Sequence, residues 1–181
     1  MKNKIAYQGR PGAYSHLVCI KAFPNYEPVP CDSFEEVFKK TENKETEISL
    51  IPIENSQAGR VADIHNLLPM SNLVITGEYF HKVSHHLLGC SGSSLNSIKT
   101  AESHLHALAQ CKDFLSKNKI KPIISADTAG AAEEIAKVKN NSRAAIASEL
   151  AAKIYNLTIL SSNIEDATHN TTRFLFMREN L

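Results

Sequence analysis

Five short segments of this 181-residue chain hold the side chains from which chemistry could be built. In Gln8-Gly9-Arg10-Pro11-Gly12-Ala13-Tyr14-Ser15, two glycines three apart let the backbone turn tightly ahead of a helix. N–H groups in such a turn suit an anion, although the same pattern also makes an ordinary strand-to-helix turn. Glu54-Asn55-Ser56 follows the apolar Ile51-Pro52-Ile53, so a buried strand delivers three polar groups to its end. They suit ligand binding, or equally the capped start of a helix. Residues 103–111 offer Ser103 as a helix cap, then His104, His106 and Gln110. Asp127-Thr128-Ala129-Gly130-Ala131-Ala132 pairs a cap with small residues, which admit a ligand or a packed backbone close to the helix start. Residues 164–174 gather hydroxyls, an amide, an imidazole and Arg173, one of five arginines. A guanidinium grips a carboxylate through two parallel hydrogen bonds, which a lysine cannot do. The alternative for Arg173 is a structural ion pair with Glu165 or Asp166.

No metal site is expected. His104-x-His106 lacks a carboxylate or a third ligand at helical spacing, and His85-His86 would point to opposite faces of a strand. The four cysteines, Cys19, Cys31, Cys90 and Cys111, are irregularly spaced and suggest neither zinc nor a disulfide framework. A reducing cytoplasm suits them.

The elements that position these segments alternate in type. Strands are expected over residues 4–7, 27–30, 48–53, 98–101, 121–125, 143–147, 158–161 and 172–177, with one long, bent strand over 73–88. Helices are expected over 13–22, 33–40, 61–68, 103–115, 128–138 and 148–155. Ser33 and Glu36 have the spacing of a capping box. This is an α/β pattern with crossover helices on both faces of a sheet, and such sheets place ligands at the carboxyl ends of strands. Twenty Lys and Arg against nineteen Asp and Glu, a net charge of +1, give no support for a nucleic-acid partner. No stretch reaches membrane-spanning length, and the N-terminus does not read as a signal peptide.

Taken in order, the segments Gly9 to Ser15, Pro52 to Gly59, Ser103 to Cys111, Asp127 to Ala132 and Asn170-Thr171-Thr172-Arg173-Phe174 resemble the prephenate dehydratase family over nearly the whole chain. The resemblance implies an α/β fold of two lobes, similar to type 2 periplasmic binding proteins, with the active site in the inter-lobe cleft. One lobe is assigned residues 1–78 plus 162–181 and the other 79–161. It implies conversion of prephenate to phenylpyruvate, water and carbon dioxide, without a cofactor, by a cytoplasmic homodimer. On matched positions, Thr172 is the residue most associated with catalysis, and Asn55 and Gln110 are associated with activity or binding. Arg173, Ser15, Ser56, Ser103, Thr128, Asn170 and Phe174 are read as substrate contacts. Many members have Pro and Gln where this chain has Leu105 and His106. Many also continue into an ACT domain that binds phenylalanine, and none is expected in these 181 residues.

The chemistry asks for positioning and for help to a departing hydroxide. A threonine hydroxyl is a poor acid, so Thr172 is read as a hydrogen-bond donor to the leaving oxygen, with Glu54 as the candidate proton source. Arg173 is expected to hold the pyruvyl carboxylate, because gripping the departing one would favour the ground state. An arogenate dehydratase shares these motifs, and a non-catalytic carboxylate-binding module of the same fold is the rival of another class.

Overall fold

A computed structural model describes residues 3–180, which divide into two compact units, each with its own sheet. Of the described residues, the first comprises 3–10, 14–83 and 169–180; the second comprises 11–13 and 84–168. The expected boundaries move because the strand ending at Lys82 pairs along its length with the last strand of the chain.

In the first unit, β1 (Lys4–Gln8), β2 (Glu27–Cys31) and β3 (Ile48–Asn55) are parallel, joined by α1 (Tyr14–Ala22) and α2 (Phe34–Glu42). The two-residue β4 (Gly59–Arg60) folds back on the end of β3, and α3 (Ala62–Leu67) follows, ending in a 3-10 turn at Leu68–Met70. β5 (Leu73–Lys82) and the C-terminal β11 (Thr171–Glu179) complete the order β2-β1-β3-β11-β5, with β11 antiparallel to both neighbours. β3 is mostly apolar from Ile48 to Ile53 because both its faces are covered there, and it turns polar at Glu54 and Asn55. Ile5, Tyr7, Leu50 and Phe174 pack with Val18 and Cys19 of α1. Ala6, Ile51, Ile53, Leu175 and Met177 pack with Val37 and Phe38 of α2 and Ile64 of α3. Ser33 Oγ caps α2 by accepting the Glu36 N–H at 3.2 Å, but the Glu36 carboxylate takes the N–H of Asp32 at 2.8 Å, so the return half of the capping box falls one residue early.

The second unit is ordered β10-β6-β9-β7-β8. These strands are β6 (His86–Gly89), β7 (Thr100–Ser103), β8 (Lys121–Ile124), β9 (Arg143–Ala147) and β10 (Thr158–Ser161). Its helices are α4 (Leu105–Gln110), α5 (Lys112–Lys117), α6 (Thr128–Val138) and α7 (Glu149–Ile154). Leu87, Ala101, Ala144 and Ile146 face one core; Leu88, Ala145 and Ala147 face the other. Asp127 Oδ1 caps α6, accepting from Gly130 N at 2.5 Å. Gly12 lies in this unit with φ +94°, and a Cβ there would meet Ala151 Cα at 3.0 Å, so this turn needs glycine.

Two expected elements are divided. The strand over 73–88 becomes β5 and β6, which belong to different sheets. The helix over 103–115 breaks at Cys111, which leaves helical geometry (φ −116°, ψ 19°) with its thiol buried, and becomes α4 and α5. Among the described residues no helix is long and apolar enough to cross a membrane. The four cysteines are buried free thiols, and burial pushes Cys31 up to about 11.

Candidate active site

Strand register builds the first constellation. β11 places Thr172 opposite Asn55 of β3 on one side and opposite His81 of β5 on the other. Leu175 pairs with Ile51 and Phe174 with Pro52, but Arg173 then pairs with Glu54, because β3 carries one extra residue, Ile53. Without that bulge, Glu54 would sit across from Thr172. The bulge re-aims Asn55 onto the Thr172 row, and Pro52, which has no N–H for a ladder, stands beside it.

Asn55 uses its full hydrogen-bonding capacity. Nδ2 donates to Asn170 Oδ1 at 2.8 Å and to Thr172 Oγ1 at 2.9 Å. Oδ1 accepts the backbone N–H of Gln57 and of Ala58, each at 2.9 Å. Two backbone donors on the oxygen fix the amide, so a nitrogen hydrogen must face Thr172. The Thr172 oxygen thus accepts from Asn55, which leaves its own hydrogen for another acceptor. Ser56 Oγ donates to the carbonyl of His169 at 2.7 Å and accepts from Thr171 N at 2.9 Å, and Gln57 Nε2 lies 2.9 Å from His169 Nε2. Segments more than a hundred residues apart are locked side chain to side chain. His81 is 6% exposed, and its ring lies 6.4 Å from that of Tyr14.

Alternation along β11 puts Arg173 on the opposite face from Thr172. Its Nε and Nη2 bind Glu78 Oε2 at 2.8 and 2.7 Å, and its Nη1 reaches Glu54 Oε1 at 3.3 Å. Its guanidinium lies 5.8 Å from the Phe80 ring centroid. Glu78 first, then Glu54, raises the arginine pKa further.

A second constellation lies within the second unit. His85, between β5 and β6, is 3% exposed, and its Nε2 lies 2.7 Å from Gln110 Oε1. Burial pushes this imidazole below its ordinary value, against the opposing pull of Gln110 and Glu165. The His85 N–H donates to Glu165 Oε2 at 2.9 Å.

The comparisons with known proteins decide the family. The prephenate dehydratase family model matches residues 5–180. The chain belongs to the prephenate dehydratase family. A bifunctional N-acyl-homoserine lactone acylase/prephenate dehydratase of Komagataeibacter europaeus is 45% identical over 94% of this chain and 60% of its own length. Arogenate dehydratase/prephenate dehydratase 2 of Arabidopsis thaliana is 42% identical over 96% of this chain and 46% of its own. The chain therefore spans about half to three fifths of these relatives. A solved quorum-quenching acylase superposes with a TM-score of 0.93 at 41% identity, covering 99% of this chain and 65% of the other. A nutrient-binding protein of Burkholderia cenocepacia, solved with methionine, superposes with a TM-score of 0.52 at 12% identity over 97% of this chain and 84% of its own, a likeness of fold alone.

Within the family motifs, the structure separates residues that the sequence groups together. Asn55, Ser56, Asn170 and Thr172 come together. Glu54 and Arg173 leave that group for the other face of the sheet, and the acids on Arg173 are Glu54 and Glu78, not Glu165 or Asp166. Glu54, half exposed, accepts from Arg173 Nη1 and stands away from the Thr172 hydroxyl it was expected to assist. Ser103 does not cap a helix. It ends β7, wholly buried, and donates to the Ile146 carbonyl at 2.6 Å; His104 Nδ1 stands at the cap instead, 3.3 Å from His106 N. Phe174, 2% exposed, is core rather than a ligand surface. Ser15 and Thr128 lie half-buried in the first turns of α1 and α6. Among the described residues no three His, Cys, Asp or Glu side chains are grouped to hold a metal. His81 and His85 were not expected in either constellation. His81 was readable from register once 73–82 and 171–179 are paired, whereas the His85–Gln110 contact leaves no local signal.

Proposed function

We propose that this chain converts prephenate to phenylpyruvate, with Thr172 as the donor to the departing ring hydroxyl. In the balanced reaction the prephenate dianion takes up one proton. The C–O bond to the ring hydroxyl breaks, the ring carboxylate leaves as carbon dioxide, and its bonding pair completes the aromatic ring. Water and the phenylpyruvate anion are the other products. Aromatisation supplies the driving force, so the protein's task is to hold the ring and stabilise charge on the leaving oxygen.

One observation carries this reading: Asn55 Nδ2 donates to Thr172 Oγ1 at 2.9 Å. A hydroxyl that accepts from a fixed amide has its hydrogen directed elsewhere. Such a donor is worth about 10²–10³-fold in rate when aimed at developing negative charge. The family membership supports the reaction class, and the names of the relatives extend it to arogenate and, for one, to an N-acyl-homoserine lactone.

The test is an assay of the purified chain against prephenate, arogenate and an N-acyl-homoserine lactone in parallel, with Thr172→Ala beside the wild type. Phenylpyruvate from prephenate, lost in Thr172→Ala, is the expected result. Turnover of arogenate alone would move the assignment to the aminated substrate. Binding of prephenate without turnover would establish a carboxylate-binding module instead.

A further inference from the structure

His85 is a costly residue for its position. It is 3% exposed, and an imidazole so buried is unfavourable unless its nitrogens are hydrogen-bonded. Both backbone polar groups of His85 are pinned by one short segment. Ile164 N donates to the His85 carbonyl at 2.9 Å, and Glu165 Oε2 accepts the His85 N–H at 2.9 Å. The next residue of that segment holds Gln110: Asp166 N donates to the Gln110 carbonyl at 2.8 Å. The Asp166 carboxylate also takes the N–H of Asp113, at 3.2 Å from Oδ1 and 3.3 Å from Oδ2. Ile164 anchors the strap in the core with Leu87, Ala101 and Leu108. Residues 164–166 thereby fix the backbones of His85 and Gln110 together, and the side chains meet at 2.7 Å.

A glutamine amide has two orientations of nearly equal shape, with donor and acceptor exchanged. With the amide oxygen facing the ring, His85 Nε2 carries the hydrogen and the Gln110 nitrogen is directed away from it. Both carboxylates and the leaving hydroxyl of prephenate are acceptors, so a side chain that assists them must present N–H groups.

We infer that His85 is a positioning residue that acts through Gln110, holding its amide so that the N–H₂ end serves the substrate. This rests on the reading that places Gln110 in a dehydratase site. A leucine or methionine would fill the same volume without setting the amide.

The test is a double-mutant cycle on the purified chain, read as kcat and KM for prephenate. His85→Ala is expected to lower kcat about tenfold with KM changed less than about threefold, the pattern of an interaction felt in the transition state. His85→Gln, whose side-chain nitrogen can stand where Nε2 stands, is expected to recover most of the loss. In a Gln110→Ala background, His85→Ala is expected to cost nothing more. Thermal melting of each variant separates loss of fold from loss of function, and ¹⁵N NMR of the imidazole should report an Nε2–H tautomer that changes in Gln110→Ala. Independent, multiplying losses would overturn the inference, as would an Nδ1–H tautomer. Full activity in Gln110→Ala would instead remove Gln110 from the site. A wild type inactive on prephenate would count against the proposed function, while the tautomer would still decide the His85–Gln110 pairing.

Discussion

Asn55 Nδ2 lies 2.9 Å from Thr172 Oγ1, across a bulge that rotates Asn55 onto the threonine's face of the sheet. Both hydrogens of that amide are committed, one to Thr172 and one to Asn170, and both backbone donors sit on its oxygen. Asn55→Asp keeps the shape and the two accepted bonds but replaces the donating end with an acceptor. Thr172 must then give its own hydrogen to that carboxylate and loses it for the substrate. The expected outcome is a fall in kcat of about 10²-fold, as for removal of one aimed donor, with little change in melting temperature. Thr172→Ser should keep at least a tenth of the wild-type rate, because the hydroxyl remains. Steady-state kinetics on prephenate checks both, and an active Asn55→Asp enzyme would sink the assignment.

Arg173 gives the opposite expectation. It is next to Thr172 in sequence but on the other face of β11, held by Glu78 and Glu54. Arg173→Lys is therefore expected to change KM for prephenate by less than about threefold, the modest effect of altering an exposed ion pair. A tenfold or greater rise in KM would show that the guanidinium grips a substrate carboxylate.

Much of the fold was legible because periodicity reports burial. The helix over 128–138 and the strand over 143–147 have the observed bounds, since alanine-rich small faces and a fully buried strand leave clear patterns. Strand 73–88 was not, because β-rich composition does not say which sheet a segment joins, and β5 and β6 join different ones. The two faces of Thr172-Arg173 were readable from strand alternation. What no local pattern carries is the register shift itself, which sets Asn55 rather than Glu54 against Thr172. The same holds for His85, whose partner lies 25 residues away.

Ser103 is within a family motif yet wholly buried, with its hydroxyl on the Ile146 carbonyl at 2.6 Å. That bond ties the end of β7 to β9. Ser103→Ala removes the donor and leaves a buried carbonyl short of one partner, at a cost of about 1–2 kcal/mol. The expected outcome is a lower unfolding midpoint in urea with kcat and KM unchanged. A rise in KM with unaltered stability would return Ser103 to the binding surface.

Four histidines, His16, His85, His86 and His104, are held below their ordinary pKa, in each case mainly by burial. The sign for stability follows from linkage. Above the unfolded value of about 6.5, both states carry neutral rings and these groups favour neither. As pH falls below that value the unfolded chain takes up protons that the folded chain refuses. Stability is therefore present above the unfolded pKa and is lost as pH falls through the lowered folded values. The unfolding free energy is expected to be flat between pH 8 and 7 and to decline from pH 6.5 to 5, a window that begins above the ordinary carboxylate range. Urea titrations at half-unit steps would measure the slope, and His85→Gln, which removes one of the four groups, should make it shallower. A stability that rises on acidification across this window would mean that the native state binds these protons more tightly, and the burial of the four rings would then be wrong.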